Sequence, residues 1–157
     1  MRLTIFLLTL FISIAMTQAY YAGWFTTKTS PVGFMNTEVQ AGESVSFNRC
    51  HVGGGYNCVV DGDTIWLRGE KIRIADIDTP ETHDYGCQSE KHLGDRATTR
   101  LKEVLESGPI TIETIDRNQD QYGRLLRIVK VNGESVGYTL VDEGLARWYE
   151  GGRRPWC

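Results

Sequence analysis

Hydrophobic and polar positions divide the chain into unlike stretches. Residues 1–19, MRLTIFLLTLFISIAMTQA, hold an apolar run from Leu3 to Met16 behind the basic Arg2, with small residues at Thr17 and Ala19. Residues 20–47 show no sustained period, carry few charges and are interrupted by Gly and Pro. From Asn57 the pattern changes to Cys58, Val59 and Val60, a turn at Asp61-Gly62-Asp63, Thr64 to Leu67, a turn at Gly69-Glu70, and then Ile72, Ile74 and Ile77 alternating with polar neighbours. Short apolar runs separated by tight turns predict three strands. In SEKHLGDRATTRLKEVLESGP, Leu93, Ala97, Leu101, Val104 and Leu105 recur every three or four residues, the spacing of one face of an amphipathic helix. Ser89 is its expected cap and Gly108-Pro109 its stop. Two further strands are predicted, Ile110 to Ile115 and Leu125 to Val131, then a turn at Asn132-Gly133. A closing helix in SVGYTLVDEGLARW places Val136, Leu140, Val141 and Leu145 on one face.

The order β-β-β-α-β-β-α predicts an α+β, mainly β domain over residues 48–157: a five-stranded OB-type barrel with flanking helices. Such barrels commonly bind oligonucleotides on one face, but fold order alone supplies no activity. Composition narrows the options. The 157 residues are 41% hydrophobic, and 17 basic against 20 acidic side chains give a net charge of −3. These values exclude collagen-like, low-complexity and multi-pass membrane classes, and any polyanion site must be local because bulk charge does not attract phosphate. Residues 1–19 have the layout of a cleavable signal peptide, and their apolar run is shorter than the roughly 20 residues that span a bilayer. The expectation is export to the periplasm or beyond, with residues 20–47 as a linker or N-terminal extension.

The cysteine count agrees with an oxidising compartment. All four, Cys50, Cys58, Cys87 and Cys157, follow the apolar run, and an even number in an exported chain predicts two disulfides. Three pairings are open. The glycine-rich HVGGGYN between Cys50 and Cys58 lets them close a short loop, and Cys87 would then pair with Cys157. A metal role for them is the weaker reading, since there is no C-x-x-C pair and His51, His83 and His92 have no chelating spacing.

Chemistry is concentrated in the acidic positions. Asp61 and Asp63 occupy a strand-strand turn, and Asp76, Asp78 and Glu81 follow the third strand in IADIDTPE. Alternate strand residues share a face, so Asp76 and Asp78 point the same way, while Pro80 ends the strand ahead of Glu81. Two carboxylate clusters near strand ends can share one hard cation. An EF-hand is excluded, because numbering the loop from Asp61 puts Trp66 at its glycine position and Ile72 at its bidentate glutamate. Arg73 and Arg124 add guanidinium forks suited to phosphate oxygens.

Four motifs, VDGDTIWL, IRIADIDTPE, DQYGRLLRI and VDEGLA, in this order across about residues 55–150, resemble the staphylococcal nuclease (thermonuclease) family. The resemblance implies an OB barrel with flanking helices and Ca²⁺-dependent hydrolysis of DNA and RNA phosphodiesters that leaves 3′-phosphates. It also implies that Asp63, Asp78 and the main-chain carbonyl of Thr79 hold the ion, with Asp61 in an outer shell. Glu81 would orient or deprotonate the attacking water, and Arg73 and Arg124 would hold the phosphate. Tyr122 and Tyr149 are candidate substrate contacts, with Trp148 beside the latter. The expected partner is nucleic acid alone, bound by a monomer with no obligate protein partner.

Some features depart from the family's best-known member. THDYGCQSEKH carries lysine only at Lys91, and ARWYEGGRRPWC has no room for a long closing helix, so weaker substrate binding is expected, with Arg153 and Arg154 as replacement charges. The alternative is a non-catalytic OB-fold nucleic-acid-binding module of the cell envelope. That reading predicts eroded acidic or arginine positions, whereas Asp63, Arg73, Asp78, Glu81 and Arg124 are all present.

Overall fold

A computed structural model describes residues 44–51 and 54–157. The apolar segment 1–19, residues 20–43 of the expected linker, Val52 and Gly53 lie outside the described residues. Among the described residues, nine strands and two helices follow in chain order: β1 (Asn48–Arg49), β2 (Cys58–Asp61), β3 (Thr64–Leu67), β4 (Glu70–Ile74), β5 (Ile77–Asp78), α1 (Gln88–Glu106), β6 (Ile110–Gln119), β7 (Leu125–Val131), β8 (Glu134–Ser135), α2 (Val136–Asp142) and β9 (Arg147–Trp148). The mainly β, α+β class and the order of the five longer strands are those expected.

The ladder runs β1-β2-β3-β4-β7-β6, with β8 on β7 and a separate β5-β9 pair. It is mixed, because β1 with β2 and β4 with β7 are parallel. The sheet is not closed into a barrel: β1 is only two residues long and pairs on one side with β2, so among the described residues it stays open between β1 and β6. Two tight turns set the registers. Arg68 and Gly69 between β3 and β4, and Asn132 and Gly133 between β7 and β8, all take positive φ, as type I′ hairpin turns require.

Helix α1 lays Ala97, Leu101, Val104 and Leu105 against Val59, Ile65, Ile74 and Val129 in one core. Its start differs from the expected one. Cys87, not Ser89, is the N-cap, and it makes no side-chain cap; Glu90 instead reaches back past the cap to accept from the Gly86 N–H at 2.6 Å, which fixes the chain entering the helix. The second helix is shorter than the pattern suggested. Gly144 turns at φ +70°, and the Leu145 N–H closes on the Leu140 carbonyl at 2.8 Å, which frees Leu145 and Ala146 to enter the core ahead of β9. Val45 and Phe47, in the stretch read as linker, are buried core residues. The Phe47 N–H is held at 2.8 Å by Glu106 at the end of α1. Disulfides join Cys50 to Cys58 and Cys87 to Cys157.

Candidate active site

The β2-β3 hairpin brings its two aspartates to the end of the sheet. Val59 and Asp61 straddle a bulge against β3, and bulges re-aim side chains at strand ends. The Asp63 N–H donates to the Asp61 carboxylate at 3.1 Å, which holds the turn in one shape. Gly62 makes the approach possible: a Cβ there would lie 2.8 Å from Ala97 and 2.9 Å from Thr79, so the turn packs directly on α1 and on the segment leaving β5. Gly62→Ala is accordingly expected to destabilise the fold by about 1–3 kcal/mol, seen as a lower denaturant midpoint; an unchanged midpoint would refute this packing.

Asp63 is the hub. Its carboxylate accepts from the Thr64 hydroxyl at 2.9 Å and pairs with the Arg73 guanidinium at 3.1 Å. Arg73 in β4 is buried, and it also donates to the main-chain carbonyls of Ile74 and, at 3.0 Å, Ile77. Thr64 in turn accepts from Arg124 at 3.3 Å, so Arg124, Thr64, Asp63 and Arg73 form one continuous chain of polar contacts. Arg124 follows Gly123, whose φ is +76°. Asp120 organises this loop, accepting from the N–H groups of Tyr122 and Arg124 and from Arg124 Nε at 2.7 Å.

Asp78 and Thr79 are buried at the exit of β5. Asp78 lies 3.6 Å from Arg147 of β9. Glu81 is partly exposed and pairs with Arg153 at 2.5 Å. Behind it, a Cβ on Gly94 would stand 2.6 Å from the Pro80 carbonyl oxygen, so α1 supports this loop by close backbone contact. Asp76 turns elsewhere, accepting from the Ser135 hydroxyl at 2.9 Å.

Three of the site carboxyls, Asp61, Asp78 and Glu81, are raised above their ordinary range. Burial, reinforced by Asp63, pushes the Asp61 carboxyl up to about 7. Burial and then Asp63 also raise Asp78, against the opposing Arg147, Arg73 and Trp156. Glu81 is raised by burial, with Arg153 opposing and Asp63 and Asp78 adding to the rise. Carboxylates crowded in this way favour either a proton or a cation among them. The donors are all oxygen, the set that a hard divalent ion prefers, so the residues fit Ca²⁺. Among the described residues the one set of three side-chain ligand atoms within 4.8 Å of one another is Cys87, Glu90 and Cys157, which is accounted for by a disulfide; as a set of three, the site carboxyls stand further apart than that.

The aromatic candidates sit on the arginines. Tyr149 lies over Arg73 at 5.5 Å and Tyr122 over Arg124 at 5.6 Å. Both are exposed, as is Trp148. Sequence reasoning missed Arg147 and Trp156, whose ring centroid is 3.6 Å from that guanidinium, and it missed Asp120 and Thr64. The first pair could not be seen from local pattern, because only the β5-β9 pairing carries residues 147–156 to Asp78.

The chain is similar to endonuclease YncB of Bacillus subtilis (39% identical over 121 residues, 73% of this chain and 56% of the relative). It is also similar to the SPbeta prophage-derived endonuclease YokF of the same organism (43% over 94 residues, 56% and 31%). A third relative is the succinoglycan biosynthesis protein ExoI of Rhizobium meliloti (31% over 98 residues, 59% and 50%). The chain thus spans between about a third and just over half the length of these curated relatives. Residues 71–155 match the family described as staphylococcal nuclease homologue, a span that starts after Asp61 and Asp63 but includes Arg73, Asp78, Glu81 and Arg124. The chain belongs to the staphylococcal nuclease homologue family.

Proposed function

We propose that this protein is a Ca²⁺-dependent nuclease that hydrolyses phosphodiester bonds in DNA and RNA and leaves 3′-phosphates. One observation carries the reading: Asp63 is tied to Arg73 at 3.1 Å and, through the Thr64 hydroxyl, to Arg124, while burial and the charge of Asp63 raise the neighbouring carboxyls Asp61, Asp78 and Glu81. The two endonucleases among its relatives support the same chemistry.

Asp63, Asp78 and the Thr79 main-chain carbonyl would hold Ca²⁺, with Asp61 outside them. When bound, the ion supplies positive charge to a phosphate oxygen and favours deprotonation of nearby water. Glu81 accepts a proton from the attacking water at a carboxylate oxygen. Arg73 and Arg124 donate to the non-bridging oxygens, where charge grows as the water oxygen bonds to phosphorus and the bond to the 5′-oxygen breaks. The proton then needed by the 5′-oxygen comes from solvent. Tyr122 and Tyr149 stand beside these arginines as faces on which bases can stack.

Lys91, in the first turn of α1, is already paired with Asp95 at 2.7 Å, so the stretch that follows Glu81 adds little free positive charge, and low affinity away from the site follows. Export belongs to the same proposal, supported by the apolar segment at residues 1–19 and by the two disulfides. The products provide the test. Cleavage of a 5′-labelled single-stranded oligonucleotide is expected to give internal cuts whose fragments gain mobility changes on phosphatase treatment, as 3′-phosphates do. Fragments indifferent to phosphatase would contradict breakage of the bond between phosphorus and the 5′-oxygen.

A further inference from the structure

We propose that Arg153 is a positioning residue for Glu81, held in place by the Cys87–Cys157 crosslink. The inference rests on the nuclease reading above, and it assigns a task to a segment that the catalytic motifs do not include.

Glu81 sits in an irregular stretch between β5 and α1, where no ladder or helix fixes its side chain. Its backbone is held from one side: the close approach of Gly94 to the Pro80 and Glu81 carbonyls, and a 3.4 Å contact from the Glu81 N–H to Glu90. Its carboxylate is held from the other, by Arg153 at 2.5 Å. Backbone and reacting group are therefore fixed by separate elements, helix α1 and the last residues of the chain.

Those last residues are secured at both ends. At one end β9 pairs with β5, setting Arg147 opposite Asp78 and Trp148 opposite Ile77. At the other, Cys157 is bonded to Cys87, the N-cap residue of α1. Between them Arg147 acts as an internal brace, donating to the Arg154 carbonyl at 2.7 Å and the Pro155 carbonyl at 3.3 Å, with Trp156 stacked on its guanidinium.

The physical reason for a crosslink is entropic. Arg153 follows Gly151 and Gly152, the most conformationally free residues of a chain, and its side chain is 64% exposed. An exposed ion pair of that kind contributes little to stability once its ordering entropy is counted. What it does supply is direction to one carboxylate, and closing the segment at Cys157 lowers the cost of keeping Arg153 there.

Steady-state cleavage by the full chain with saturating Ca²⁺ tests this. Arg153→Ala is expected to lower kcat about tenfold to a hundredfold with KM changed less than about twofold. Arg153→Lys should restore most of the loss, because the contact is a single nitrogen-to-oxygen ion pair. Cys157→Ser, assayed below its own melting temperature, should lower kcat to a similar degree, and adding Arg153→Ala to it should lower kcat no further. Arg153 is exposed, so its variants keep the fold and report whether or not Cys157→Ser does. An unchanged kcat in Arg153→Ala overturns the inference. So does a raised KM with kcat retained, which would make Arg153 a direct substrate contact. Wild-type kcat in folded Cys157→Ser overturns the role of the crosslink. Absence of cleavage by the wild-type chain is the distinct result that defeats the nuclease reading, and this inference falls with it.

Discussion

Glu81→Gln is expected to lower kcat by about 10²- to 10⁴-fold, the usual range for removing a positioned general base, while the protein still folds. Glutamine keeps the shape and one acceptor oxygen, so a Ca²⁺ ion or substrate can still bind, but the amide cannot take the proton that water must lose. Folding should not suffer. Burial, Asp63 and Asp78 disfavour the charge on Glu81, and only Arg153 favours it strongly, so neutralising the position relieves repulsion at the cost of one exposed ion pair. The pH profile carries a second signature. A carboxyl raised above its ordinary value is protonated, and idle as a base, until pH climbs past that value; activity in the wild type should therefore fall on the acidic side, and the residual rate of the variant should lack that limb. A Glu81→Gln protein with a near-normal rate, measured on single-stranded DNA, would remove the base assignment.

Arg124→Ala is expected to cost about 10²- to 10³-fold in kcat, or about 2.7–4 kcal/mol, the range for deleting one donor aimed at developing negative charge. The geometry explains why no neighbour replaces it. Asp120 grips Nε, Thr64 accepts from Nη1, and the Gly123 turn sets the approach, so the fork is preorganised toward the carboxylate cluster. Arg124→Lys should recover little, because a lysine has no second nitrogen with which to keep the Asp120 contact while reaching phosphate. Circular dichroism matching the wild type, combined with that loss of rate, is the expected pair of results. Retention of more than about half the wild-type kcat would show that Arg73 suffices.

Much of the fold was legible because the core elements are long enough to display a period. Strand β7 was read with its observed bounds, and the α1 face of Ala97, Leu101, Val104 and Leu105 is the buried one. Failures occurred where structure is decided by contacts distant in sequence. The last five residues of β6, IDRNQ, are exposed and mostly polar, so no alternation marks them, and pairing with β7 alone extends the strand. Strands β1, β5, β8 and β9 have two residues each, too few to show any pattern. Val45 and Phe47 lay in an unpatterned stretch, yet the core covers them.

The site divides in the same way. Asp63, Asp78, Glu81, Arg73 and Arg124 stand out in sequence because they sit in motifs; the structure joins Asp63, Arg73 and Arg124 in one chain of contacts through Thr64 and pairs Asp78 and Glu81 with Arg147 and Arg153 beside it. Asp76 was grouped with Asp78 by strand alternation, but β5 begins only at Ile77, and Asp76 bonds to Ser135 instead. Arg147, Arg153 and Trp156 reach the carboxylates through the β9 pairing and the crosslink at Cys157; the cysteines pointed to the crosslink, but the two-residue β9 leaves no local trace in the sequence.

The net charge of −3 fits a polyanion substrate on one condition, that a cation offsets the carboxylate cluster where phosphate must lie. A cleavage assay on single-stranded DNA and RNA, run with Ca²⁺ and again after an excess of chelator, therefore tests the central claim most directly. Cleavage of both substrates with Ca²⁺, abolished by the chelator and restored when Ca²⁺ is returned, is the predicted result. Undiminished cleavage in excess chelator, or binding of nucleic acid without any cleavage in Ca²⁺, would contradict it.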